Sequence, residues 1–185
     1  MARTPTVTRS QVPEQFRAAF DRETAASGGV VATGPGSAMI NSPDMRERSN
    51  HLVKYFREVS DLPQKIQELG MLLTARHMDC QYIWYAHSVR GRQEGLSDEL
   101  VDALRDKKPL PSLPPDEAAL ANYANELFAT HKVSQSTFDT ALAMFGAQRL
   151  TELTTMMGYY SILAFNANAF EIDLPSGGAE PVLPV

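Results

Sequence analysis

The sequence predicts an all-α protein, and three observations carry that prediction. Apolar residues recur at helical spacing along most of the chain. Valine and isoleucine are scattered and never alternate with polar residues over a strand's length. Helix start and stop residues punctuate the chain at short intervals. The expected architecture is a bundle of about seven helices over residues 43–174. An N-terminal helix and arm (1–42) precede it and an extended tail (175–185) follows.

Val12 to Ala26 reads as a short helix with Phe16, Ala19, Phe20 and Glu23 as its periodic positions. Ser27 to Ser42, rich in glycine around Pro35, reads as an extended arm. Ser42-Pro43-Asp44 then supplies an N-cap, a proline for the first turn and an acid at the positive helix end. Met45, Ser49, Leu52, Phe56 and Val59 form one stripe down that helix. The next helix, about Pro63 to His77, is apolar on more than one side, which marks a buried helix. Another runs from about Asp79 to Glu94 and closes near Gly95. Ser97 caps a short helix to Arg105, and Pro109 to Pro115 makes a connector. Helical patterns follow over Asp116 to Thr130, Ser134 to Phe145 and Gln148 to Ile172. In the last, Leu150, Leu153, Met157, Tyr160, Ala164, Ala167 and Phe170 share a stripe that a 185-residue domain is not expected to cover alone. The tail, with its prolines and Gly177-Gly178, is expected to be extended or mobile.

A chain of 185 residues is long enough to bury a core of its own. Its net charge of −5 disfavours nucleic acid and anionic membranes, which require a basic face. One cysteine, Cys80, cannot form an internal disulfide, and no secretory or membrane-spanning pattern is present. Met156 to Phe170 is short for a span and is interrupted by Asn166 and Asn168, which call for an interhelical hydrogen bond. A cytoplasmic protein is the expectation. His51, His77, His87 and His131 show no metal-site spacing, although His77 and His87 could meet across the helix break. No nucleotide-binding loop or His-Glu-x-x-His motif occurs.

Chemistry concentrates in Glu68, Cys80 and His87. Glu68 lies among apolar neighbours, where a carboxylate loses solvation; that suits a general acid or base, or equally a cap or a partner for Arg76. Cys80, Ile83, Trp84 and His87 fall at i, i+3, i+4 and i+7, which share one helix face. A rise of about 1.5 Å per residue separates Cys80 from His87 by roughly 10 Å. The thiol therefore cannot touch the imidazole on a straight helix, and Ile83 is the residue that would meet it. Singly, Cys80 reads as a packed thiol, His87 as a core histidine, and Trp84 and Tyr82 as core and rim. Only the joint spacing lifts them above that reading.

That spacing resembles the carboxymuconolactone decarboxylase / alkylhydroperoxidase D (AhpD)-like superfamily. Cys80 lies twelve positions after Glu68, and His87 seven after Cys80, in register with the family's Glu…Cys-x-x-Cys-x-x-x-His motif. Ala75-Arg76, Trp84-Tyr85-Ala86-His87 and Gly95-Leu96-Ser97 strengthen the likeness, which spans roughly residues 35 to 172. The resemblance implies an AhpD-like helical bundle and a homo-oligomer, as dimer, trimer or hexamer. Ile83 stands where the peroxidase branch has the cysteine that attacks peroxide, so a one-chain dithiol cycle is ruled out. Gly158-Tyr159-Tyr160 occupies the neighbourhood of the decarboxylase branch's Gly-x-Pro signature. The resemblance thus implies a cofactor-free lyase or isomerase acting by proton transfer on a small organic acid or lactone. Glu68 and His87 would be its acid/base pair, Arg76 would hold a substrate carboxylate, and Cys80, Tyr82, Ile83 and Trp84 would line the pocket. The alternatives are a thiol antioxidant using Cys80 alone, its sulfenic acid resolved by an external thiol, and a non-catalytic ligand-binding relative.

Overall fold

The computed structural model describes all residues except 1, 5, 32, 176–179 and 185, so part of the expected tail, Gly177-Gly178 included, lies outside the described residues. Among the described residues there are eight α-helices and no strand. They are α1 (Arg17–Thr24), α2 (Pro35–Met39), α3 (Pro43–Glu58), α4 (Gln64–His77), α5 (Gln81–Gln93), α6 (Asp98–Arg105), α7 (Pro115–Thr130) and α8 (Gln135–Ala169). Short 3₁₀ turns flank α1.

Helix α4 is the axis of the fold and packs against α5, α7 and α8. Every residue from Ile66 to Arg76 is buried, as its all-round apolar sequence requires. Its neighbours supply the rest of the core: Ile83 and Trp84 from α5, Leu100, Val101 and Leu104 from α6, Leu120 and Ala124 from α7, and Leu153, Met156 and Met157 from α8. Gly91 permits the close crossing of α4 and α5. A Cβ there would lie 2.9 Å from Leu96 Cδ1, 3.1 Å from Leu72 Cδ1 and 3.8 Å from Glu68 Cβ.

Several boundaries fall as expected. Ser97 Oγ accepts the Leu100 N–H at 3.2 Å, α5 is followed by Gly95 at φ 97°, and the last two helical patterns meet at a break. That break is Gly146, at φ 73° and ψ 167°, a conformation only glycine adopts readily, so α8 is two helical segments with a kink between them.

Other expectations need correction. The arm is not wholly extended: Gly34 and Pro35 nucleate α2, closed by Ser37 Oγ donating to Gly34 O at 2.7 Å. Ser42 precedes α3, but its hydroxyl caps no backbone N–H. Met45 and Val59, at the ends of the α3 stripe, are 49% and 66% exposed, because the helix meets the main core through Phe56 and its neighbours Leu52, Val53 and Tyr55, between those ends. The α8 stripe is covered within the chain, since α4 and α5 lie on it; the large apolar residues of α8 left exposed are Phe138, Met144, Ile162 and Phe165, all outside the stripe.

Described residues near both termini are fastened to the fold. Val12, Phe20 and Ile40 form a small second core in the N-terminal segment, α1 packs on α3, and α2 packs on α8. In the tail, Leu183 is 1% exposed and joins the main core. Its N–H donates to Gln81 Oε1 at 2.9 Å, and the Gln81 amide donates back to its carbonyl. Asn168 makes the expected bond between elements, its amide donating to Met78 O at 2.8 Å. Asn166 instead donates within α8, to Ile162 O. No helix among the described residues is long and apolar enough to cross a membrane.

Candidate active site

Glu68 and His87 meet. Glu68 lies in the second turn of α4, and the antiparallel return of α5 brings His87 alongside it, one helical turn before the close crossing at Gly91. His87 Nδ1 and Glu68 Oε2 are 2.7 Å apart, with both side chains more than 90% buried. With the proton on Nδ1, the imidazole donates to the carboxylate and both groups are satisfied. That tautomer leaves the Nε2 lone pair without a partner among the described residues. The imidazole and the ring of Tyr160 of α8 meet in a T-shaped contact, with ring centroids 5.2 Å apart and planes at 81°. Burial pushes the Tyr160 phenol up to about 12, so it remains a neutral hydrogen-bond donor at physiological pH.

The pair opens onto a cavity of about 400 Å³. Its floor and walls come from four helices: Gln64, Gln67, Glu68 and Met71 of α4, His87, Arg90, Gln93 and Glu94 (just past its end) of α5, Arg57 of α3 and Tyr160 of α8. A second cavity of about 560 Å³ lies under α2, and Arg57 and Tyr160 line both cavities.

The remaining residues singled out from the sequence lie elsewhere. Cys80 precedes α5 as its N-cap, in extended conformation, and is fully buried in the main core rather than lining the His87 cavity. Burial raises its thiol pKa more than the backbone N–H groups of Ile83 and Tyr82 lower it. Ile83 and Trp84 are core residues, and the Trp84 indole N–H has no acceptor among the described residues. Tyr82 turns its hydroxyl toward the backbone of Gly34. Arg76, expected to hold a substrate, is instead enclosed at the far end of α4. It pairs with Asp79 and donates to Arg105 O at 2.9 Å and Pro184 O at 3.1 Å. His77 is also at that end, stacked on Phe128 and bonded to Asn125 Oδ1, away from His87. No cluster of metal-ligating residues occurs among the described residues.

Arg57, Arg90 and Tyr160 complete the cavity and were not singled out from the sequence. Arg90 carried a signal, since it lies three positions after His87 on the same face. Tyr160 was legible only as a core position, and Arg57 carried no signal at all.

No family model and no curated protein matches this chain. Solved structures do match. A peroxidase-related protein from Ralstonia eutropha, described as an alkylhydroperoxidase AhpD core, superposes with a TM-score of 0.73 at 16% identity, covering 95% of this chain and 93% of that one. A putative antioxidant defence protein AhpD from Agrobacterium tumefaciens gives 0.67 at 20% identity, over 75% of this chain and 96% of that one. A cysteine-to-alanine variant of the debrominase Bmp8, in complex with 2,3,4-tribromopyrrole, gives 0.69 at 14% identity over 95% of each chain. The chain therefore has an AhpD-like helical fold, the fold its sequence motif implied. The proteins that share it include peroxidase-related proteins and a debrominase.

Proposed function

We propose that this chain is a cofactor-free lyase or isomerase of the carboxymuconolactone decarboxylase type, acting by proton transfer on a small organic acid or lactone. The observation that carries this reading is the buried 2.7 Å contact between Glu68 and His87 at a cavity of substrate size. Glu68 orients the imidazole and stabilises the imidazolium. Nε2 takes a proton from the carbon beside the substrate's carbonyl, and the electron pair moves onto that carbonyl as an enolate. In an isomerase the same proton returns at another carbon. In a lyase His87 instead first takes a proton from solvent at Nε2, and the imidazolium delivers it to the carbanion left by loss of CO₂. The neutral Tyr160 hydroxyl supplies a donor for the enolate oxygen.

The Cys80 reading is the weaker. An enclosed thiol whose pKa is raised is both a poor thiolate and remote from peroxide. Unchanged peroxide consumption in Cys80→Ser would dispose of it. The acid/base reading is tested by incubating the protein in D₂O with a panel of small lactones and unsaturated acids and following deuterium incorporation by NMR. Wild type is expected to exchange the proton beside the carbonyl. His87→Ala and Glu68→Gln should each slow this by about 10²–10⁴-fold, and exchange that survives in both refutes the proposal. We further propose a homo-oligomer, supported by exposed Ile162 and Phe165 on α8. Light scattering that gives the 20.4 kDa monomer mass would reject it.

A further inference from the structure

The chain has twelve arginines. Nine are ion-paired: Arg3, Arg9, Arg22, Arg46, Arg48, Arg76, Arg92, Arg105 and Arg149. Arg17 donates to the Val12 carbonyl at 3.1 Å. Among the described residues, the two arginines with neither an ion pair nor a hydrogen bond are Arg57 and Arg90. Both line the cavity that holds His87. They arrive from different helices, α3 and α5, and the tertiary fold sets both, as exposed residues, at the mouth of one cavity. Shortage of carboxylates does not explain it, because acids outnumber bases and the net charge is −5.

The rest of the lining fits the same chemistry. Gln64 is the first residue of α4, so that helix points its positive end at the cavity. Gln64, Gln67 and Gln93 are neutral. Of the two carboxylates present, Glu68 is committed to His87, and Glu94 is exposed at the rim without an ion pair among the described residues. Guanidinium groups match the two oxygens of a carboxylate with parallel N–H donors.

We propose that Arg57 and Arg90, with the N-terminus of α4, form an oxyanion subsite that takes the carboxylate of a small organic acid and leaves the adjoining carbons beside His87. The subsite supplies the role that the enclosed Arg76 does not. The inference deepens the proton-transfer reading and rests on it for the identity of the ligand, but its test reads binding alone.

The probes are benzoate and succinate, each set against its neutral amide, with affinity measured by ligand-observed NMR titration of the full chain. Both carboxylates should bind wild type, and the amides at least tenfold more weakly. Arg57→Gln and Arg90→Gln should each weaken carboxylate binding about tenfold, the worth of one charge-assisted hydrogen bond. Arg17→Gln should leave it unchanged and so controls for loss of surface charge. Added salt should weaken binding in wild type and much less in the double arginine variant. Glu68→Gln should still bind the carboxylates, so that a failure of the acid/base reading and a failure of the subsite are told apart. The proposal is overturned if neither carboxylate binds, if the amides bind equally well, or if the folded double variant binds as wild type does. Inorganic phosphate binding more tightly than both carboxylates would also overturn it, in favour of a phosphate-ester ligand.

Discussion

A double-mutant cycle on Glu68 and His87 tests the central contact without any substrate. Glu68→Ala leaves the Nδ1–H of His87 without an acceptor in a site that is more than 90% buried. Losing a charge-assisted bond and stranding its donor costs about 2–3 kcal/mol. His87→Ala strands the Glu68 carboxylate instead and also removes the edge contact with Tyr160. The buried charge puts that cost at about 3 kcal/mol or somewhat more, and the cavity's access to solvent keeps it toward the low end. The double variant strands neither group, so its cost should fall about 2 kcal/mol short of the sum of the singles. Urea unfolding followed by circular dichroism at one fixed protein concentration reads all four proteins. Single costs that add to within about 0.5 kcal/mol would refute a coupled pair and with it the tautomer assigned to His87.

Three further outcomes are expected. Leu183→Ala should cost about 2–3 kcal/mol, since the side chain is 1% exposed, and lower Tm by about 4–10 °C; a shift below one degree would mean that the tail is not part of the core. Cys80 should react with a disulfide reagent only after denaturant is added, because its thiol is enclosed and its pKa raised; prompt reaction of one equivalent in the native protein would contradict this. Glu152 is buried, which by itself raises its carboxyl pKa, but hydrogen bonds from Ser60, Tyr55 and Gln148 outweigh that and hold it below the ordinary 4.5. A depressed folded value means stability that is present above about pH 4.5 and lost as pH falls through the lower folded value. Glu152→Gln should therefore be less stable than wild type at pH 7 by a margin that narrows as pH falls below 4.5 in denaturant titrations, and a gap that widens toward acid would reverse the sign.

Local patterns were legible in the sequence where one helix decides the outcome. The buried character of α4 followed from its apolar residues, and the caps at Ser97 and Gly95 from residue type. The pairing of Glu68 with His87 was legible only through the family resemblance that their spacing carries; the structure makes the contact because a short turn between two helices returns α5 along α4. The remainder depended on pairing between distant elements. Whether Arg76 is free or tied depends on Asp79, which sits in the turn at φ 47°, and on Pro184, more than a hundred residues away. Whether Arg57 faces a cavity depends on where α3 ends relative to α5 and α8. The burial of the α8 stripe, likewise, could not be read without knowing that α4 and α5 lie on it.

The two ends of α4 carry separate duties. Its first turns hold Glu68 and border the cavity, whereas its last turn holds Arg76 and anchors the tail, eight residues or about 12 Å further along the axis. Substitutions that far apart and without shared partners act almost independently. The protein can therefore gain or lose stability at the Arg76 end with little consequence for chemistry at the Glu68 end. Such a division leaves the cavity lining free to change its ligand preference while the fold's safety margin is maintained elsewhere.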